Sequence, residues 1–111
     1  MNLNERNVGE VTVIEIAGRI DSVQSPKLHE RVAALVTSGR SAILLDLSKV
    51  EYISSAGFRS LLLLARQAGQ TGCRFVLCGL RPKVKQLFDL GGFLDLLPIA
   101  GTREEGIAAA Q

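Results

Sequence analysis

Tryptophan is absent from this sequence, and tyrosine, histidine and methionine each occur once. With four phenylalanines the aromatic share is 5%, so the core has to be aliphatic. The single histidine, His29, cannot complete a zinc site with Cys73 and Cys78, and those two cysteines form no Cys-x-x-Cys pair. A serine nucleophile needs a base and a preorganised oxyanion site. His29 falls in a different predicted helix, toward its polar side, where a solvated surface role is the ordinary outcome. No GxSxG elbow, GxGxxG turn or GxxxxGK[ST] phosphate cradle occurs. Asp21, Asp46, Asp89 and Asp95 are scattered, with no spacing that pairs two of them. These absences argue against an enzyme and call for no cofactor or metal. Charge of one sign is also lacking: 13 basic against 11 acidic residues leave a net charge of +2, which does not suggest nucleic acid as a partner. The longest apolar run, residues 61–65, is far too short to span a bilayer. The opening MNLNERNVGE has no apolar stretch of the signal-peptide kind. Reduced thiols and no membrane segment make the cytoplasm the expected location.

Hydrophobic residues, by contrast, are plentiful. At 47% hydrophobic and a mean hydropathy of +0.24, the 111 residues can bury one core, and a single domain over 1–111 is expected. No linker, repeat or low-complexity segment interrupts it. NVGE reads as a turn between strands at 3–7 and 11–16, the second buried on both faces, with Gly18 bending the chain afterwards. SPKLHERVAALVTSG reads as a helix with Ser25 as cap, Pro26 at the first helical position and Gly39 at the close. Its apolar stripe is Leu28, Val32, Leu35 and Val36. AILLDL, 42–47, is a continuous apolar run of strand length and suits a central parallel strand. That places Asp46 near a strand's C-terminal end. Phe58, Leu61, Leu62 and Ala65 recur at helical spacing, with an end near Gly69 or Gly72. Arg74–Cys78 is the next strand, and its odd spacing from Cys73 puts the two thiols on opposite faces. Pro82 opens another helix, with Val84, Leu87 and Phe88 inward and Gly91 and Gly92 as the stop. Thr102 and Glu105 form a capping-box pattern for a short last helix, weakened by Gly106. Strand–helix alternation after a hairpin gives an α/β domain with a mixed sheet.

The junction EYISSAGFRSLLLL puts two hydroxyls, Ser54 and Ser55, at a helix entrance. A cap is one reading, because the first N–H groups of a helix lack partners. A phosphoacceptor is another, because a helix N-terminus tolerates a phosphate. The two are compatible, one serine capping while its neighbour is presented. Along the helix, Arg59, Leu63, Arg66 and Gln70 fall on a side turned from the core. Leu63 is either an incidental exposed leucine or the apolar centre of a docking face with a basic rim.

ILLDLSKVEYISSAGFRSLL resembles the bacterial anti-sigma-factor antagonists, small single-domain members of the STAS family. The family pattern is a buried strand ending in Asp-Leu-Ser, here Asp46, Leu47 and Ser48, then a hydrophobic pair, Tyr52 and Ile53, then a small-residue turn opening a helix, Ser54 to Gly57. GRIDS (18–22) and LCGLRPKVKQLFDLGG (77–92) support the match, which covers nearly the whole chain. The resemblance implies an α/β STAS fold, a mixed central β-sheet with about four helices, and partner switching. Unphosphorylated antagonist would bind a histidine-kinase-like serine kinase that is often itself the anti-sigma factor. Phosphorylation on the motif serine would release it, and a PP2C-type phosphatase would restore binding. Residue by residue, the acceptor falls on Ser55. Ser54 stands where an acidic residue often precedes it, and is the alternative acceptor; Ala56 follows it. The implied partner-binding residues are Asp21, Ser54, Ser55, Ala56, Gly57, Phe58, Arg59, Leu63 and Arg66. A different outcome on the same fold is a non-phosphorylated subunit docking on a transporter ATPase of the lipid-transport type. A small-molecule sensor and an enzyme stand further off.

Overall fold

The computed structural model describes residues 1–111. Strands β1 (Asn2–Val8) and β2 (Val11–Ile20) form an antiparallel hairpin, turning at Gly9. Helix α1 (Ser25–Thr37) returns the chain so that β3 (Ala42–Ile53) lies parallel to β2. Helix α2 (Ser55–Thr71), β4 (Arg74–Cys78), α3 (Pro82–Leu90), β5 (Ile99–Ala100) and α4 (Arg103–Ala110) complete the order. The five strands lie in the sequence β1-β2-β3-β4-β5, only the first pair antiparallel. This is the expected mixed sheet with four helices.

Two cores flank the sheet. The larger joins Ile14, Ile16, Leu45 and Leu47 to Leu28 and Val32 of α1, Leu61 and Leu64 of α2, and Phe88 of α3. The smaller lies under α4 and contains Val13, Leu44, Val76, Cys78 and Ala110. The start of β3, 42–47, is buried throughout, as a central strand with both faces covered must be. Cys73 belongs to the larger core and Cys78 to the smaller, so the thiols do sit on opposite sides. Both are free, and burial pushes the Cys78 thiol up to about 12. Gly106 fits the same packing: a Cβ there would stand 2.7 Å from Leu44 Cδ1, so the residue that weakens α4 lets it lie close on the sheet.

Several sequence expectations need correction. β2 does not bend away at Gly18 but continues to Ile20; Gly18 takes φ 106° beside a register shift. β3 runs to Ile53 rather than stopping at Leu47, and two register shifts against β2 keep Val50 and Ile53 facing the core. Asp46 therefore lies mid-strand, opposite Cys78 at the end of β4, not at the end of β3. The register shifts absorb two of the residues between Asp46 and Ile53, so at about 3.3 Å per residue it is roughly 15–20 Å from the SSAG turn. Ser25 is not a cap: it is buried inside α1, and Gln24 at the N-cap makes no side-chain cap. The buried face of α2 is Phe58, Leu61, Leu64 and Ala68, with Leu62 and Ala65 only partly covered. That helix ends at Gly72, φ 75°, one of the two glycines expected to close it.

Candidate docking site at the start of helix α2

β2 and β3 end side by side, with Ile20 paired to Ile53. The chain then turns, and the Ser54 N–H donates to the Ile20 carbonyl at 2.9 Å. Ser54 is extended, φ −83° and ψ 171°, and its Oγ accepts from the Gly57 N–H at 3.2 Å. Its carbonyl accepts the Phe58 N–H at 3.0 Å. Ser54 is thus the helix cap, half-buried and engaged at hydroxyl, N–H and carbonyl. Ser55, one residue on, is exposed in the first helical turn. The cap role therefore falls on Ser54, and the Ser55 side chain is left out of it. The site lies at the C-terminal ends of parallel strands, the end where open α/β sheets present their functional groups.

Gly57 and Phe58 lie beneath this surface. Gly57 is buried, and a Cβ on it would stand 2.8 Å from both the Ile20 carbonyl oxygen and Ile53 Cγ2. Phe58 is 6% exposed. Its ring meets Phe88 edge-on at 4.8 Å and stacks on Phe93 at 4.6 Å. Both residues hold the helix start down on the sheet. Ala56 is half-buried between Ser55 and Gly57. Asp21 follows Ile20, and its Oδ1 accepts from the N–H of Val23 at 3.1 Å and of Gln24 at 2.9 Å. That Asx-type turn, not Ser25, opens α1.

The outward side of α2 carries Arg59, Leu63 and Arg66, all exposed. Leu63 is 45% exposed between the two arginines, and α2 contains no carboxylate at all. Val23, which the Asp21 turn leaves 70% exposed next to the site, is a surface residue missed from sequence. A lone valine within the polar stretch DSVQS was the available signal. His29 is half-buried on α1 rather than solvated, and no group of three His, Cys, Asp or Glu side chains is placed to hold a metal ion.

Asp46 belongs to a separate polar cluster on the α4 side. Its Oδ2 accepts from Arg103 at 2.9 Å and its Oδ1 from the Ser48 N–H at 2.9 Å. Arg103 also donates to Glu15 at 2.7 Å, and Lys49 to Glu15 at 3.1 Å. Burial pushes the Asp46 carboxyl up, but the Ser48 and Arg103 contacts outweigh it and hold the group below its ordinary value. A folded-state value below the unfolded one stabilises the fold above the unfolded value, and that stabilisation is lost as pH falls through the folded one. Arg103 is 30% exposed, so screening tempers the pair. Asp46→Asn is expected to lower stability at pH 7 by about 1–3 kcal/mol and to flatten the acid limb below about pH 4. Urea unfolding of both proteins across that range checks it; parallel acid limbs would refute the assignment.

Residues 2–106 match the family described as the STAS domain. BtrV of Bordetella bronchiseptica, a candidate anti-sigma factor antagonist, is 37% identical over 109 residues, covering 98% of this chain and 94% of that one. The anti-sigma-B factor antagonist of Bacillus subtilis is 28% identical over 110 residues, covering 96% and 99%. The crystal structure of an anti-sigma factor antagonist from Mycobacterium paratuberculosis superposes with a TM-score of 0.89 at 25% identity, covering 98% of this chain and 92% of that one. The chain belongs to the STAS domain family, and its relatives by both sequence and structure include anti-sigma factor antagonists.

Proposed function

We propose that this protein is an anti-sigma factor antagonist that works by partner switching in the cytoplasm, with Ser55 as the phosphoacceptor. Unphosphorylated, it docks through the start and outer side of α2 on a histidine-kinase-like serine kinase that serves as the anti-sigma factor. That kinase phosphorylates Ser55 and the complex dissociates; a PP2C-type phosphatase removes the phosphate and resets the cycle. The observation that carries this reading is the division of labour between adjacent serines. Ser54 spends its hydroxyl on the Gly57 N–H, and Ser55 is exposed beside it. A kinase needs a hydroxyl that it can reach without unwinding the helix. Ser55 offers one, on a turn held firmly by Gly57 and Phe58 beneath it.

The test is phosphate incorporation by the cognate kinase and ATP, followed by mass spectrometry. Wild type is expected to gain one phosphate and Ser55→Ala none. Ser54→Ala loses a cap and is expected to cost about 0.5–2 kcal/mol in urea unfolding while still accepting phosphate. Phosphate that persists in Ser55→Ala and vanishes in Ser54→Ala would move the acceptor by one residue.

A further inference from the structure

A groove of about 420 Å³ runs along α2 on the side that turns from the arginine face toward the α3–β5 connection. Leu62, Ala65, Arg66 and Gly69 form one wall, and Leu96 and Pro98 form the other. Leu96 is 62% exposed although it borders apolar neighbours. Gly69 sits three residues inside the end of the helix, where glycine is a poor helix former. Its φ is not positive, and a Cβ there would meet nothing within 4 Å. Neither backbone conformation nor packing within the fold requires glycine at this position. What its missing side chain does is leave the groove open. The charge around it has one sign on the helix wall: Arg66 lines the groove, Arg59 lies two turns back, and α2 has no carboxylate from Ser55 to Thr71. Asp95 is exposed beside Leu96 but does not line the groove.

We infer that this groove takes an apolar side chain carried on an acidic amphipathic segment of a protein partner, with Arg66 and Arg59 pairing the carboxylates that flank the anchor. The inference rests on the docking reading above for its choice of helix, and adds where the partner's anchor goes and which charge surrounds it. A basic segment would place like charges against both arginines. A second copy of the chain would bring its own α2, whose two arginines repel those of the first.

The test is an amide chemical-shift titration of the labelled protein with a synthetic amphipathic peptide of leucine and glutamate, and with its lysine counterpart. Saturable shifts are expected at Leu62, Ala65, Gly69 and Leu96 with the acidic peptide, and binding about tenfold weaker with the basic one. Gly69→Leu fills the groove and should abolish those shifts. Gly69→Ala should raise the melting temperature by roughly 3–6 °C and weaken peptide binding. A variant that is more stable yet binds worse separates an occupant site from a packing role. Shifts that are absent, equal for both peptides or untouched by Gly69→Leu would overturn the inference. So would shifts that grow with protein concentration alone, which would give the groove to a second copy. Phosphate uptake at Ser55 does not enter this titration, so the groove and the switch can fail separately.

Discussion

Phosphorylated on Ser55, the protein is expected to bind its serine kinase about a hundredfold more weakly or worse, with almost no change in its own melting temperature. The two halves of that result have different causes. A phosphate adds about −1.5 to −2 charge at neutral pH. At the first turn of α2 it meets unpaired N–H groups and the positive end of the helix, a contact favourable by about 0.3–1 kcal/mol. Arg59, one turn along at i+4, is placed to pair with it as well. The free protein therefore tolerates the group. In a complex the same group would be desolvated against the partner, and an unpaired buried charge costs about 3–5 kcal/mol, more than two decades of affinity. Recruiting Arg59 to the phosphate also takes a cation from the docking face. Ser55→Asp should reproduce part of the loss, with less charge and a different shape. Arg66→Glu should weaken docking and leave Ser55 chemically unchanged. Calorimetric titration of the kinase with wild type, Ser55→Asp and Arg66→Glu decides the matter. Equal affinities for all three, with every protein folded, would mean this surface is not the switch. A permanent subunit on a transporter ATPase would then be the better account.

The type and order of the elements were legible because the chain keeps simple rules where its core is simple. The run 42–47 is apolar at every position except Asp46, and only a strand covered on both faces suits that. The rest of β3 was not legible, because two register shifts break its alternation and space Val50 and Ile53 three apart. Asp46 was misplaced for the same reason: with the strand cut short at Leu47, it fell at the strand's C-terminal end. Its partners, Arg103 and Glu15, lie far away in sequence. Sequence placed Leu63 on the outward side of α2, as found, but read the inward face at Leu62 and Ala65, since four consecutive leucines, 61–64, make every side apolar. Gly57 resolves it by letting the helix start press on Ile20 and Ile53, which turns Leu64 and Ala68 inward and Leu63 outward. Which of the paired serines caps the helix could not be read from sequence, because a cap is defined by backbone geometry. The Leu96 groove depends on how loops close over the sheet, which no local pattern reports.

Phe58→Ala is expected to be the most damaging single change near the site, costing about 3–5 kcal/mol and lowering the melting temperature by roughly 10–20 °C. The ring is 6% exposed and contacts both Phe88 and Phe93, so truncation leaves a cavity where α2, α3 and the connection after α3 meet. Gly57→Ala should cost less, about 1–3 kcal/mol, and by a different route. Its new methyl would stand 2.8 Å from the Ile20 carbonyl oxygen, which cannot retreat freely because it accepts the Ser54 N–H at 2.9 Å. The helix start has to lift, and the Ser54 cap lifts with it. Alanine's better helix propensity, worth up to about 1 kcal/mol, offsets only part of that strain. Thermal unfolding measures the first effect, and hydrogen exchange in the first turn of α2 measures the second. These residues support the site from below, so their effect on kinase binding should run through the fold. Well below its transition temperature, Phe58→Ala is expected to bind the kinase within about threefold of wild type, whereas Arg66→Glu, fully stable, is not. If Phe58→Ala lost binding while folded and still accepted phosphate at Ser55, the ring would have to reach the partner directly, and the helix start would have to open in the complex to let it.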